Sequence, residues 1–216
     1  MTGAIKICGI GTPEAFDCAA RAGATHAGFV FYAPSPRHIA PAAAAAIAPR
    51  SPAVKSVALT VDATDDELSA ILGAFTPDLL QLHGHEPPDR VQAIRARFAR
   101  PVMKAIPIAG PDDLAAARRY EPVSDFLLFD AAPRDLPGGN GVTFDWSLLA
   151  GTRWRKPWFL SGGLTPENVA DAIYQTRPGG VDVSSGVERA RGIKDNASIE
   201  AFIASARHAF SAIAAT

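Results

Sequence analysis

Short apolar runs alternate with amphipathic stretches along the whole chain. Several of the runs are apolar at nearly every position, among them AGFVF, VALTV and DFLLFD. Strands that are apolar on both faces are typical of a parallel sheet covered by helices. The pattern predicts eight strands, over residues 4–8, 26–31, 54–61, 78–83, 102–106, 125–130, 158–161 and 181–184.

The stretches between the strands carry helix signals. The segment TPE at Thr12 combines an N-cap residue, a proline and an early acid, and its helix is expected to end at Gly23. Thr64 opens a capping-box pattern. The alanine-rich segment 41–49 predicts a short helix, and residues 198–213 predict the last one.

Eight strand-then-helix units in 216 residues favour a closed (β/α)8 barrel, the TIM-barrel architecture. The alternative is an open, doubly wound sheet. The first strand-to-helix turn, CGIGTPE, lacks a full G-x-G-x-x-G pattern, which weakens a dinucleotide-binding interpretation. Because no linker or change of composition interrupts the pattern, we expect residues 1–216 to form one catalytic domain.

Composition narrows the classes of partner. The formal net charge is -1, so no global basic field points to nucleic acid or to an anionic membrane, and any anion site must be local. Two cysteines do not make a disulfide framework, and the N-terminal segment lacks the apolar core of a signal peptide. No apolar run approaches the roughly 20 residues of a membrane helix. We therefore expect a cytoplasmic protein.

Two residues at strand ends are candidate catalytic groups. Cys8 ends the first strand, and Lys6 shares its face, so a cation close to the thiol would lower the pKa of Cys8 and give a nucleophile or general base. The alternative is a small buried hydrophobic residue. Asp130 ends the sixth strand after four apolar residues, where poor solvation would favour a proton donor; the alternative is a loop cap.

Two turns rich in glycine and serine follow the seventh and eighth predicted strands. In (β/α)8 barrels the loops after these strands often form a phosphate site, and glycine lets backbone N–H groups approach the phosphate. The pair of turns therefore predicts a bound phosphorylated small molecule. The candidate phosphate-binding residues are Gly162, Gly163, Ser184, Ser185 and Gly186.

Other polar residues at the same end of the barrel are candidates for substrate contact. Arg37 lies in a loop stiffened by prolines, which suits bidentate recognition of a carboxylate, although a solvated loop arginine has the same sequence signature. His83 is equally compatible with substrate contact and with a hydrogen-bonded core histidine. The glycine loop at residues 135–146 could close over a ligand. The five histidines do not have metal-site spacing, so we expect neither metal nor cofactor.

Closure of the barrel predicts one specific ion pair. The eighth strand lies beside the first in a closed barrel, and Asp182 alternates with Val181 and Val183, so it faces inward if the valines face the helices. Lys6 faces the same interior. A buried lysine needs a nearby carboxylate. We expect Lys6 and Asp182 to lie within salt-bridge or one-water distance, and we place Asp182 with the substrate-binding residues.

Six segments in this order resemble the phosphoribosylanthranilate isomerase family of tryptophan biosynthesis. They are KICG, SPR, QLHGHE, FLLFD with GGNGVTFDW, LSGGLTPENV, and DVSSGVE with GIKD, and they run from residue 6 to about residue 195. The resemblance implies a (β/α)8 barrel that catalyses an Amadori rearrangement. It also implies that Cys8 is the general base, Asp130 the general acid and Arg37 the clamp on the anthranilate carboxylate.

Two other hypotheses stay open at this point. A sugar isomerase of histidine biosynthesis has the same fold and does similar chemistry. The family pattern of those enzymes has two aspartates in the active site, whereas the first strand here ends in Cys8. A non-catalytic barrel that binds a phosphorylated ligand would need the glycine turns but neither Cys8 nor Asp130. Of the two oligomeric states, a monomer is slightly favoured over a homodimer.

Overall fold

The computed structural model describes residues 3–132 and 144–215. Eight parallel strands follow one another around a closed barrel, in which the eighth strand pairs with the first. The predicted (β/α)8 barrel is therefore confirmed, and the open sheet is not. The strands are β1 Ala4–Cys8, β2 His26–Val30, β3 Lys55–Thr60, β4 Leu79–Leu82, β5 Val102–Ile108, β6 Phe126–Ala131, β7 Trp158–Leu160 and β8 Gly180–Val183.

Helices cover the outside of the barrel, and capping residues in the sequence mark where several of them begin and end. Thr12 caps the first helix by accepting from the Ala15 N–H, and Gly23 ends it at φ 101°. Thr64 and Glu67 form the predicted capping box. The helices are α1 Pro13–Ala22, α2 Pro41–Ile47, α3 Asp65–Ala74, α4 Pro88–Phe98, α5 Pro111–Ala117, α6 Val169–Thr176 and α7 Asn196–Ala214.

The alternation of side chains along each strand creates two cores. Outward residues such as Ile7, Phe29 and Val181 join the main hydrophobic core beneath the helices. Inward residues such as Val57, Met103 and Leu128 fill the lower barrel. Toward the carboxyl ends of the strands, polar side chains replace these apolar ones. The active sites of (β/α)8 barrels lie at this end.

The structure departs from the predicted pattern in two places. In the sixth unit, the described residues between β6 and β7 contain a short 3-10 helix, Trp146–Leu148, in place of a longer α-helix. A two-stranded hairpin, β9 Glu188–Ala190 and β10 Ile193–Lys194, precedes α7 and has no apolar alternation that would predict it. The predicted glycine loop lies mostly outside the described residues. No helix in residues 3–132 or 144–215 is long and apolar enough to cross a membrane.

Candidate active site

Lys6 and Asp182 form the ion pair that closure of the barrel predicts. Lys6 Nζ lies 2.8 Å from Asp182 Oδ1, both side chains are buried, and the two residues are register partners of β1 and β8. Val181 and Val183 belong to the outer core, as the prediction requires. Burial by itself lowers the pKa of Lys6, but the Asp182 carboxylate and the Cys8 thiol raise it above its ordinary value. The barrel therefore holds a permanent ammonium next to Cys8.

Cys8 stands at the top of β1 beside this ammonium. A Cβ atom on Gly28 of β2 would lie 3.0 Å from the Cys8 Sγ and 3.1 Å from the Lys6 Nζ, so both side chains meet over the bare glycine backbone. Burial raises the pKa of the Cys8 thiol, and the charges of Lys6 and Lys194 only partly oppose it. The expectation of a lowered pKa is thus wrong, because desolvation of the thiolate outweighs its attraction to the cations.

Asp130 faces the barrel mouth from the end of β6. Its Oδ1 accepts a hydrogen bond from the Ala131 N–H at 2.9 Å, and its Oδ2 lies 3.2 Å from Nε2 of His83. The Nδ1 of His83 in turn lies 2.8 Å from Nε2 of Gln81. His83 is therefore joined to the candidate acid and is a partly buried, hydrogen-bonded residue.

The two glycine turns meet at the barrel mouth. Gly162 and Gly163 adopt φ angles of 88° and 64°, in the left-handed region that favours glycine. A Cβ atom on Gly162 would lie 3.1 Å from the Asp130 Oδ1, so the turn passes directly over the candidate acid. A Cβ atom on Gly186 would overlap the Leu164 carbonyl oxygen, because the turn after β8 packs on the turn after β7.

Ser184 and Ser185 connect the second turn to the catalytic end of β1. Ser184 Oγ donates to the Cys8 carbonyl oxygen at 3.1 Å. Ser185 begins a short 3-10 helix, Ser185–Val187, directly after β8. The structure thus brings all five predicted phosphate-binding residues to one side of the mouth, next to Cys8 and Asp130.

Arg37 is held by a carboxylate of the chain itself. Its Nε and Nη2 donate to the two oxygens of Glu188 at 2.7 and 2.9 Å, a bidentate pair that is almost fully buried. Lys194 binds the same carboxylate at 2.8 Å and also donates to the Ser184 carbonyl oxygen. Burial would raise the pKa of Glu188, but the hydrogen bonds from Arg37 and the charge of Lys194 lower it. Two cations around one carboxylate leave this side of the mouth positive.

One cavity gathers the candidate catalytic and substrate-binding groups. Its volume is about 40 Å³, and the side chains of Cys8, Arg37, His83, Asp130 and Asp182 line it. A second cavity of about 240 Å³ lies beside it and shares His83 and Asp130. Within the described ranges, no group of three histidine, cysteine, aspartate or glutamate side chains could hold a metal ion.

Sequence reasoning missed Glu188 and Lys194. Both lie in quoted segments, DVSSGVE and GIKD, but neither ends a predicted strand, so neither received a role. The available signal was charge in a short connection after the last strand, where a barrel places its anion site. Their pairing depends on the β9–β10 hairpin, which the hydrophobic pattern does not show.

The architecture and the mouth define a class of protein. A closed (β/α)8 barrel with a thiol, a carboxyl and two glycine turns at the carboxyl ends of its strands is a barrel enzyme. The family model for N-(5′-phosphoribosyl)anthranilate (PRA) isomerase matches residues 5–205. The chain belongs to the N-(5′-phosphoribosyl)anthranilate isomerase family.

Individual relatives and solved structures agree with this assignment. The chain is 51% identical over 207 residues to the N-(5′-phosphoribosyl)anthranilate isomerase of Paramagnetospirillum magneticum, covering 94% of this chain and 96% of the relative. It is 54% identical to one from Rhodopseudomonas palustris, with coverage of 94% and 95%. Phosphoribosyl anthranilate isomerase from Thermotoga maritima superimposes with a TM-score of 0.87 at 37% identity, covering 95% of this chain and 99% of that one.

Proposed function

We propose that this chain converts N-(5-phosphoribosyl)anthranilate into 1-(2-carboxyphenylamino)-1-deoxyribulose 5-phosphate in tryptophan biosynthesis. The observation that carries the proposal is the placement of Cys8 and Asp130 on one cavity, directly beside the two glycine turns. A solved structure with a TM-score of 0.84 and 36% identity, which covers 95% of this chain and 99% of that one, is a complex with reduced 1-(o-carboxyphenylamino)-1-deoxyribulose 5-phosphate. That ligand contains the phosphate and the carboxylate for which this mouth has candidate groups.

The proposed reaction is an Amadori rearrangement by general acid–base catalysis. Asp130 donates a proton to the furanose ring oxygen, the C1′–O bond breaks, and the electron pair of the anthranilate nitrogen forms the Schiff base. Cys8 as thiolate then removes the C2′ proton, and the electron pair passes to the nitrogen to give an enolamine. Tautomerisation of the enolamine yields the ketone. No electrons are gained or lost overall, so two proton-transfer groups suffice.

The resting thiol must lose its proton before it can act as a base. Burial raises the pKa of Cys8, while Lys6 and Lys194 provide the positive field that opposes burial. We propose that these two cations stabilise the thiolate that forms when Cys8 gives up its proton.

The remaining groups are proposed to bind the two ends of the substrate. Gly162, Gly163, Ser184, Ser185 and Gly186 present backbone N–H groups to the phosphate, and the short helix after β8 adds to this site. Arg37, held by Glu188, faces the anthranilate carboxylate. His83 and Asp182 line the cavity between these two ends.

The test is loss of phosphoribosylanthranilate fluorescence with purified protein. Cys8→Ser and Asp130→Asn should each lower kcat by about 10²–10⁴-fold, the usual contribution of a general acid or base. Cys18→Ser is the matched control, because Cys18 is also a free, buried thiol but lies in α1. Near-normal turnover by either site variant would remove that residue from the mechanism.

We also propose that residues 1–216 act as a single domain and as a monomer. Among the described residues, the exposed large hydrophobic side chains are Tyr174 and Ile193, which lie on different elements, α6 and β10. A stable dimer usually buries a larger contiguous apolar patch. One solved relative, from Thermotoga maritima, is described as a monomer generated from a dimeric enzyme. Sedimentation equilibrium distinguishes the two states.

A further inference from the structure

A second buried ion pair lies against the turn after β4 and takes no part in the chemistry above. Lys104 Nζ is 2.7 Å from Oε2 of Glu86, and both side chains are almost fully buried. Lys104 pairs in register with Leu82 of β4 and Leu127 of β6, which belong to the outer core, so its side chain points toward the helices. This pair therefore stands apart from the ion pair inside the barrel.

The ammonium of Lys104 holds the backbone on both sides of His83. Besides its bond to Glu86, Nζ donates to the Gly84 carbonyl oxygen at 2.7 Å and to the Leu82 carbonyl oxygen at 3.3 Å. An ammonium has three N–H donors, and these three acceptors use all of them. Burial lowers the pKa of Lys104, and the Glu86 carboxylate opposes that effect. The two carbonyl groups that flank His83 are thus fixed to β5.

The carboxylate of Glu86 binds the N–H groups of the same turn. Its Oε2 accepts from the Gly84 N–H at 3.0 Å, and its Oε1 accepts from the Asp62 N–H at 2.9 Å. Asp62 in turn accepts from the His85 N–H at 2.6 Å through its Oδ1. Two carboxylates therefore bind successive N–H groups of the turn and tie it to the loop after β3.

Close packing leaves this turn little freedom to move. A Cβ atom on Gly84 would overlap Oδ1 of Asp62, so the backbone of the turn lies directly against the loop after β3. The His83 N–H donates to the Thr60 carbonyl oxygen at 2.8 Å. The backbone around His83 is therefore held at its N–H and at the carbonyl groups on either side.

We propose that Lys104 and Glu86 are positioning residues that fix the turn after β4 and thereby hold the His83 side chain where it binds substrate. His83 lines both the catalytic cavity and the adjacent cavity of about 240 Å³. Its backbone must stay in place, because a misplacement of about 1 Å can cost up to about 10²-fold in rate. The proposal rests on the proposed function for the role of His83 in substrate binding.

A double-mutant cycle in the fluorescence assay tests whether Lys104 acts through His83. Lys104→Met keeps a long side chain but removes the ammonium, so kcat/KM should fall about tenfold or more, mainly through a higher KM. His83→Ala should itself lower kcat/KM. In that background Lys104→Met should alter kcat/KM by less than about twofold, because no imidazole remains to be misplaced, while its effect on stability should persist.

Glu86→Gln is a second variant of nearly the same shape. An amide N–H in place of Oε2 cannot accept from Lys104 and Gly84, so the turn loses two of its bonds. This variant should show the same loss of kcat/KM and the same dependence on His83.

Ile94→Ala is the matched control for a loss of stability. Ile94 is buried in α4, the helix that follows the turn, and belongs to the outer core. Its truncation leaves a cavity but removes no hydrogen bond of the turn. The control should unfold at a lower urea concentration than the wild type, with kcat/KM unchanged.

Amide hydrogen exchange in the wild type without substrate tests the turn with no variant. Because the Gly84 N–H is bound to a buried carboxylate, it should exchange within about tenfold of the rate of the Leu82 amide in β4.

Three results would overturn the proposal. Fast exchange at Gly84, as in a loop without hydrogen bonds, contradicts a fixed turn even if neither variant folds. Equal losses of kcat/KM from Lys104→Met with and without His83 would show that Lys104 does not act through that side chain. Unchanged kcat/KM in a folded Lys104→Met or Glu86→Gln contradicts the proposal as well. If the wild type does not consume phosphoribosylanthranilate, the proposed function fails instead, and exchange at Gly84 still decides whether the turn is fixed.

Discussion

Lys6 carries its charge inside the barrel, where desolvation of an ammonium costs several kcal/mol unless a carboxylate compensates. Asp182 provides that carboxylate at 2.8 Å, from the strand that closes the barrel against β1. Ser161 Oγ adds a weak hydrogen bond to the other carboxylate oxygen at 3.4 Å. The ion pair thus joins the two strands that close the barrel and also holds the positive charge of Lys6 next to Cys8.

Removing one member of this pair should destabilise the protein strongly. Asp182→Ala leaves the Lys6 ammonium buried and unpaired, so the free energy of unfolding should fall by roughly 3–5 kcal/mol in urea titrations. The double variant Lys6→Met/Asp182→Leu removes both charges and should recover most of that loss. If Asp182→Ala costs less than about 1 kcal/mol, water reaches the pair and the burial argument fails.

Glu188 fixes the position of the Arg37 side chain through two hydrogen bonds. Arg37→Ala should weaken binding of the product by tenfold or more, since a hydrogen bond to a charged group contributes roughly 1.5–3 kcal/mol. A ribulose phosphate without the anthranilate carboxylate should bind the variant and the wild type alike. Isothermal titration calorimetry with both ligands makes the comparison, and equal losses would show that Arg37 only supports the fold around Glu188.

At the scale of elements, the turns after β7 and β8 act as one unit. The Gly186 backbone packs against the Leu164 carbonyl, and the Asn168 side chain donates to the Gly163 carbonyl oxygen at 3.0 Å. The proposed phosphate site therefore depends on the contact between two loops as well as on the composition of each. A side chain at the contact would force the turns apart.

Gly186→Ala should therefore abolish most phosphate affinity. Its Cβ would overlap backbone, which cannot give way as a flexible side chain can. We expect at least tenfold weaker binding of the phosphorylated product by calorimetry. Gly73→Ala is the control: a Cβ there meets nothing within 4 Å, and in α3 it should stabilise the protein by about 0.5–1 kcal/mol. Normal affinity in Gly186→Ala would show that the turns do not act together.

At the scale of the whole molecule, a buried histidine in the lower barrel should set the response to acid. His26 lies in β2, packs edge-on against Phe159 with ring centroids 5.4 Å apart, and is buried. Burial, helped by the charge of Lys6, lowers the pKa of His26 to about 4. The folded protein therefore keeps His26 neutral under conditions in which the unfolded chain already binds a proton.

The sign of the effect follows from this difference in proton binding. Between pH 6.5 and about 4 the unfolded state binds the extra proton, so stability is complete above pH 6.5 and declines as the pH falls to about 4. The shift corresponds to roughly 3 kcal/mol. Urea titrations of wild type at about pH 7 and about pH 4 should show this loss, and His26→Gln should remove it. His85→Gln changes an exposed histidine and should leave this loss of stability as it is in the wild type. If both variants lost the same stability between these two pH values, His26 would not be the cause of the loss.

The sequence by itself determined the architecture and the candidate acid and base. Apolar runs at regular spacing fixed eight strands within one or two residues of the observed ends, because burial on both faces demands that pattern. Cys8 and Asp130 were found because polar residues at strand ends stand out from apolar runs. Even the Lys6–Asp182 pair followed from alternation and barrel closure.

Tertiary structure alone decided how these groups are tuned. The raised pKa of Cys8 depends on the depth of burial, which no local pattern records. The Glu188 clamp on Arg37 joins residues 151 positions apart, and the 3.2 Å contact between His83 and Asp130 joins the end of β4 to β6. Hydrophobic periodicity reports which face of an element is covered, whereas hydrogen bonds and charge effects depend on distances of a few ångströms between elements. Those distances exist only once the barrel has closed.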